Sequence, residues 1–159
     1  MTEYLNALLQ ETAKLHNRLE LSRTVGADWY EPGMMEYLDK SEGIWNELSR
    51  SLLLRFEARG TRYDGRTERI ERVKDGDPIF VQRDPGNPYN SNNFRLLTEK
   101  GGDVGNMPAE LCNAIAPLYD GGALVFTRAC VSYVEPITKR SRYARQAVLF
   151  VELVCTLTI

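Results

Sequence analysis

Val81-Gln82-Arg83-Asp84-Pro85-Gly86-Asn87-Pro88-Tyr89-Asn90-Ser91-Asn92-Asn93-Phe94 lies at the centre of the chain and decides how the rest is read. Pro85 and Pro88 each fix a backbone angle, while Gly86 and the asparagines tolerate unusual ones, so Asp84 to Pro88 must form a rigid, sharply turned loop. Such a loop holds Tyr89 at its tip with little conformational freedom. Two readings of Tyr89 stay open here. A preorganised aromatic beside arginines is what stacking on an unpaired base requires, a contact worth ~1–3 kcal/mol per base. The other reading is a core aromatic that closes the end of a barrel.

Outward from this loop the chain reads as short strands. Pro78 to Arg83 follows the Asp75-Gly76-Asp77 turn, and Phe94 to Thr98 follows the loop itself. Leu52 to Ala58 is apolar and then alternating, with turns marked by Gly60 and by Asp64-Gly65. Ala123 to Tyr133 and Ala144 to Cys155 are longer strand candidates rich in Val, Phe, Tyr and Leu. Between these groups, Pro108 to Tyr119 reads as a helix, with Pro in its first turn and Gly121-Gly122 past its end. Many short strands with one inserted helix indicate a small barrel or curled sheet. Before Ser51 the pattern is helical instead. Leu5, Leu8, Leu9, Leu15 and Leu19 form one stripe over Thr2 to Leu21, and Met34 to Leu48 gives a second, weaker amphipathic stretch interrupted by Gly43. The fold class expected is therefore α+β: residues 1–50 as an N-terminal helical accessory segment, and residues 51–159 as a β-barrel of about six strands with an inserted helix.

The central loop does not stand alone. Ten residues after it come Val104-Gly105-Asn106-Met107-Pro108-Ala109-Glu110-Leu111, then Ala114 and Ala116-Pro117-Leu118, and upstream lies Gly60-Thr61-Arg62-Tyr63. This linked, ordered set resembles the HIRAN domain family over about Leu53 to Leu153. The resemblance implies an OB-like β-barrel whose DNA-binding members read single-stranded 3′ ends, either attached to helicase or nuclease machinery or standing alone in bacteria and phages. It implies that Arg62 and Tyr63 meet backbone and base, and that Asn87 and Tyr89 face the terminal nucleotides. At Asn90 the sequence departs from the family, which carries an Asp there to accept a hydrogen bond from the terminal hydroxyl. An amide oxygen accepts that bond without the strengthening charge. At Asn106 and Ala109 it departs again, because DNA-binding members place basic or imidazole side chains at these positions. Losing a phosphate-facing cation weakens binding and makes it less salt-sensitive.

Two basic clusters compete for a role. Arg55, Arg59, Arg62, Arg66, Arg69, Arg72 and Lys74 are interleaved with Glu57, Asp64, Glu68 and Glu71, a pattern expected of a solvated hairpin with cross-strand ion pairs. Lys139-Arg140-Ser141-Arg142 with Arg145 contains no acid and lies between two predicted strands, which favours Arg140 and Arg142 as backbone-contacting residues. The formal net charge of −2 hides an asymmetry, with nine acids and five bases before Ser51 and thirteen acids and fifteen bases after Arg50.

Several chemistries find no support in the sequence. Cys112, Cys130 and Cys155 show no C-x-x-C pair, and His16 is the single histidine, so no zinc-site spacing is present and buried free thiols are expected. Phosphate-loop, nucleophile-elbow and metalloprotease motifs are absent, and no cofactor is expected. No apolar run approaches the roughly 20 residues of a membrane span, and no secretory signal is visible. An intracellular, cytoplasmic protein of bacterial or phage type is the expectation, with no membrane partner. The function expected is non-catalytic binding of single-stranded DNA within DNA repair or processing, through Arg62, Tyr63, Asn87, Tyr89, Asn90, Asn106, Arg140 and Arg142. The alternative is a protein-interaction module, an inhibitor or subunit of a nucleic-acid-processing complex, that has lost the DNA site. In either case the acidic helices would pack on the barrel, form a homodimer or dock a protein partner.

Overall fold

The computed structural model describes residues 43–46, 50–137 and 146–158. They form seven strands and two helices. The strands are β1 (Gly43–Asn46), β2 (Ser51–Glu57), β3 (Ile79–Arg83), β4 (Phe94–Thr98), β5 (Asp103–Asn106), β6 (Leu124–Glu135) and β7 (Val148–Leu157). Helix α1 (Arg66–Ile70) follows β2, and helix α2 (Ala109–Asp120) follows β5.

Strict alternation builds the larger sheet. In β2, Leu52, Leu54 and Phe56 are buried, while Leu53, Arg55 and Glu57 are only partly so. Their antiparallel partners in β7 are Cys155, Leu153 and Val151, so both inner faces meet in the core. β6 pairs along the other side of β7, giving the order β1-β2-β7-β6. Register shifts at Phe126/Arg128 and Val131/Tyr133 bend this 12-residue strand as it passes the second sheet. That second sheet is a meander, β3-β4-β5. Helix α2 buries Leu111, Cys112, Ala114, Ile115 and Ala116 against the core. Its Tyr119 stacks on Phe126 with centroids 4.9 Å apart, and both meet the fully buried Phe94 edge-on at 5.3 Å.

The strands make two sheets rather than one continuous ladder. Single bridges join them at Arg59↔Asn106 and Pro78↔Cys130. Neither bridge extends, for local reasons. Gly60, at φ 70°, turns the chain away after Arg59. Pro78 has no N–H with which to lengthen a ladder towards β6.

Two expectations need correction, and one strand was not expected. Gly43–Asn46, inside the stretch expected as the second helix, is a strand paired with β2, so the sheet begins upstream of Ser51. The basic stretch after Gly60 is a turn followed by α1, not a hairpin. β5 was not foreseen, because Asp103-Val104-Gly105-Asn106 shows neither an apolar run nor β-branched enrichment. The first helical stripe, the remainder of the 1–50 segment up to residue 42, and Lys139 to Arg145 lie outside the described residues. All three cysteines are free and buried, as the spacing implied.

Candidate nucleic-acid interface

The central loop connects β3 to β4, and Arg83 organises it from below. Its guanidinium donates from Nε and Nη2 to the two carboxylate oxygens of Asp120, at 3.0 Å each, at the end of α2. Nη1 donates to the carbonyls of Ser91 at 2.7 Å and Asn93 at 3.1 Å, and the group lies over the Phe94 ring. The pair holds Asp120 below the usual carboxylate range and pushes Arg83 further towards its charged form. One side chain thus ties both the returning limb of the loop and the helix end to β3.

Amide side chains complete the loop. Asn87 Oδ1 accepts from the backbone N–H groups of Tyr89 at 2.9 Å and Asn90 at 3.1 Å. Asn90 Oδ1 accepts from Asn92 N, and Asn90 Nδ2 donates to Asn113 Oδ1 of α2. Asp84 Oδ2 accepts from both Asn87 Nδ2 and Asn93 Nδ2. With its backbone held this way the loop presents Tyr89 outward at 96% exposure, which excludes the barrel-closing reading of that residue.

The second element is the turn after β2. Thr61 is buried and donates to the Ala147 carbonyl, and Thr67 Oγ1 donates to the Thr61 carbonyl. Arg66 donates to the Gly60 carbonyl and makes a bidentate pair with Asp103 at 3.0 and 3.1 Å. This anchored turn leaves Tyr63 58% exposed, with the Arg62 guanidinium 5.4 Å from its ring centroid. Among the described residues Arg62 has no carboxylate partner.

Asn106 joins the two elements. Its backbone exchanges both hydrogen bonds with Arg59, and its Oδ1 accepts from Asn93 Nδ2 at 3.0 Å. The preceding Gly105, at φ 132°, permits that approach, because a Cβ there would sit 2.7 Å from the Arg59 carbonyl oxygen. Gly60-Arg62-Tyr63, Asn87-Tyr89-Asn90 and Asn106 therefore share one end of the domain through a continuous hydrogen-bonded chain. Asn106 is half-buried within it and braces both elements. Arg140 and Arg142 lie outside the described residues.

Sequence reasoning missed Asn93, which donates to Asp84 and Asn106, Asn113, which accepts from the Asn90 and Asn92 amides, and Asp103 and Asp120, which fix Arg66 and Arg83. Asn93 stood in the quoted stretch. The others are 21 to 37 positions from their partners, and nothing in local patterning flags them.

A family model of the HIRAN domain matches residues 52–152. The chain belongs to the HIRAN domain family. No curated protein matches it. Among solved structures, the crystal structure of the HIRAN domain of human HLTF is 23% identical, covers 65% of this chain and 76% of that one, and superposes with a TM-score of 0.47. The HLTF HIRAN domain in its DNA-bound conformation is 22% identical over 67% of this chain and 76% of that one, with a TM-score of 0.46. A protein from Lactobacillus plantarum is 19% identical over 65% of this chain and 95% of that one, with a TM-score of 0.47. Among the described residues, no helix is long and apolar enough to cross a membrane, and no three His, Cys, Asp or Glu side chains group to hold a metal ion.

Proposed function

We propose that this HIRAN domain binds single-stranded DNA through the Gly60–Arg66 turn and the Asp84–Asn93 loop, without catalysing a reaction on it. The observation that carries the reading is Tyr89, almost fully exposed on a loop whose backbone is tied down on every side. Order without burial leaves an aromatic face ready to stack at little entropic cost. Tyr63 supplies a second exposed face, and Arg62 supplies a cation free to meet phosphate. Family membership supports the same direction, since the HLTF HIRAN domain has a DNA-bound conformation.

The strand is taken near its 3′ end, as the family resemblance implies, and discrimination between end groups is weak. Asn90 carries no charge to repel a phosphate, and both ends of its amide are bound internally, to Asn92 N and Asn113 Oδ1. The domain would serve a DNA-processing assembly inside the cell. Fluorescence anisotropy at low salt, with single strands ending in 3′-hydroxyl or 3′-phosphate and a blunt duplex, tests the reading. Single strands should bind better than duplex, the two ends should bind alike, and Tyr89→Ala should lose roughly fivefold to a hundredfold, from ~1–3 kcal/mol of stacking. Absence of binding to every single strand would overturn it.

A further inference from the structure

We propose that the cleft between α1 and the β4–β5 turn is a second phosphate contact, which receives the backbone of the same single strand that the loops hold. This rests on the reading above. Arg66 and Arg69 lie about one turn apart on α1, with Arg62 in the turn before it and Arg72 just past its end. Two of the four are used internally. Arg66 pairs with the Asp103 carboxylate, and Arg69 donates from Nη1 to the Asp103 carbonyl at 2.6 Å. Arg62 remains at the loop end and Arg72 at the other, both exposed.

At that far end Arg72 is joined by Lys100 from the β4–β5 turn. The two flank an open cavity of about 400 Å³, with Arg69 along its wall and Pro78 as an apolar surface. Neither the Arg72 nor the Lys100 side chain has a polar partner among the described residues. The acids at the cleft are Asp77 and Glu99, leaving one net positive charge. Asp77 is turned to its own backbone, where Oδ2 accepts from Lys74 N at 2.9 Å. Net positive charge, unpaired cations and an apolar surface suit a nucleotide.

The two ends are separated by at least the length of β5. β5 runs from Asp103, held by Arg69, to Asn106, which braces the loop network. Three residue steps of strand span ~10 Å. At ~3.4 Å per stacked nucleotide that is about three nucleotides. A dinucleotide seated on the loops falls short of the cleft, and an octanucleotide reaches it.

The test compares wild type, Tyr89→Ala and the double variant Arg72→Ala/Lys100→Ala, each binding a labelled thymidine dinucleotide and octanucleotide across a salt series. Both substituted cations are exposed, so folding is not at stake. The double variant should bind the dinucleotide as wild type does and the octanucleotide several-fold more weakly. Its salt slope should be shallower by ~1.4, at ~0.7 per phosphate contact on a single strand. An unchanged affinity and slope on the octanucleotide, with Tyr89→Ala impaired, would overturn the cleft contact and leave the loop site standing. No effect from either variant would overturn both. Thymidine monophosphate alone should leave the amide resonances of Gly101 and Gly102 in place. Saturable shifts there, lost in the double variant, would make the cleft a free-nucleotide site and refute the strand path.

Discussion

Replacing Arg83 by alanine tests how the site is held together. In the folded chain this side chain is 17% exposed and makes two charge-assisted bonds to Asp120 and two to loop carbonyls. Asp120 is half exposed, so solvent screening leaves the ion pair itself only a small part of the effect. The bonds to the Ser91 and Asn93 carbonyls contribute about 1 kcal/mol each, because those carbonyls lose a charged donor and regain water incompletely. The expected loss is therefore about 2–3 kcal/mol in urea unfolding, seen as a lower midpoint at unchanged slope. Loosening the loop should also weaken single-strand binding, because Tyr89 must then be ordered on contact. Arg83→Lys should restore part of the stability and little of the binding, since an ammonium cannot serve Asp120 and two carbonyls in the same planar geometry. A loss below ~1 kcal/mol with binding intact would show that the loop is ordered without Arg83 and would refute the reasoning.

Further outcomes follow from the same geometry. Asp120 titrates below its ordinary range when folded because of Arg83, so its contribution is present at neutral pH and disappears as pH falls through that lowered value. Urea midpoints measured from neutrality down to about pH 3 should show the loss in wild type and a flatter profile in Asp120→Asn. Phe94→Ala should cost about 3–5 kcal/mol in thermal or urea unfolding, since it empties the centre of the Phe94–Tyr119–Phe126 cluster. Gly105→Ala should cost at least ~1–3 kcal/mol and speed amide exchange at Arg59 and Asn106, because the new Cβ collides with the Arg59 carbonyl. Burial raises the Cys112 thiol to about 11, so a thiol reagent at mildly alkaline pH should label it only in denaturant. Rapid labelling of folded protein would contradict its placement.

Much of the fold was legible because its strands obey simple patterns. β2 is an apolar and then alternating run, β4 begins where the loop chemistry stops, and α2 is bracketed by Pro108 and Gly121-Gly122. β5 was hidden because pairing with β4 and with Arg59, rather than intrinsic preference, makes it a strand. The same holds for β1, whose extended form is set by pairing against β2 although the sequence around it has helical spacing. At the site, the rigidity of Asp84 to Pro88 could be read from turn chemistry, which left Tyr89 open between an exposed face and a core position, while Tyr63 came only from the family resemblance. The role of Asn106 could not. Its position was read as a departure from a cation of the family, and the spacing gave no sign that its Oδ1 braces Asn93 and its backbone locks Arg59. Long-range partners such as Asp103 for Arg66 and Asp120 for Arg83 leave no trace in spacing, because only the folded register brings them together.

The central claim is that the two anchored turns form one binding face. Amide chemical-shift mapping with an unlabelled thymidine octanucleotide tests it most directly. Saturable shifts are expected at Arg62, Tyr63, Tyr89 and Asn90, all moving together to higher oligonucleotide concentration in Tyr89→Ala. Shifts confined to the outer face of the large sheet, around Tyr133 and Phe150, or no shifts at all, would contradict it.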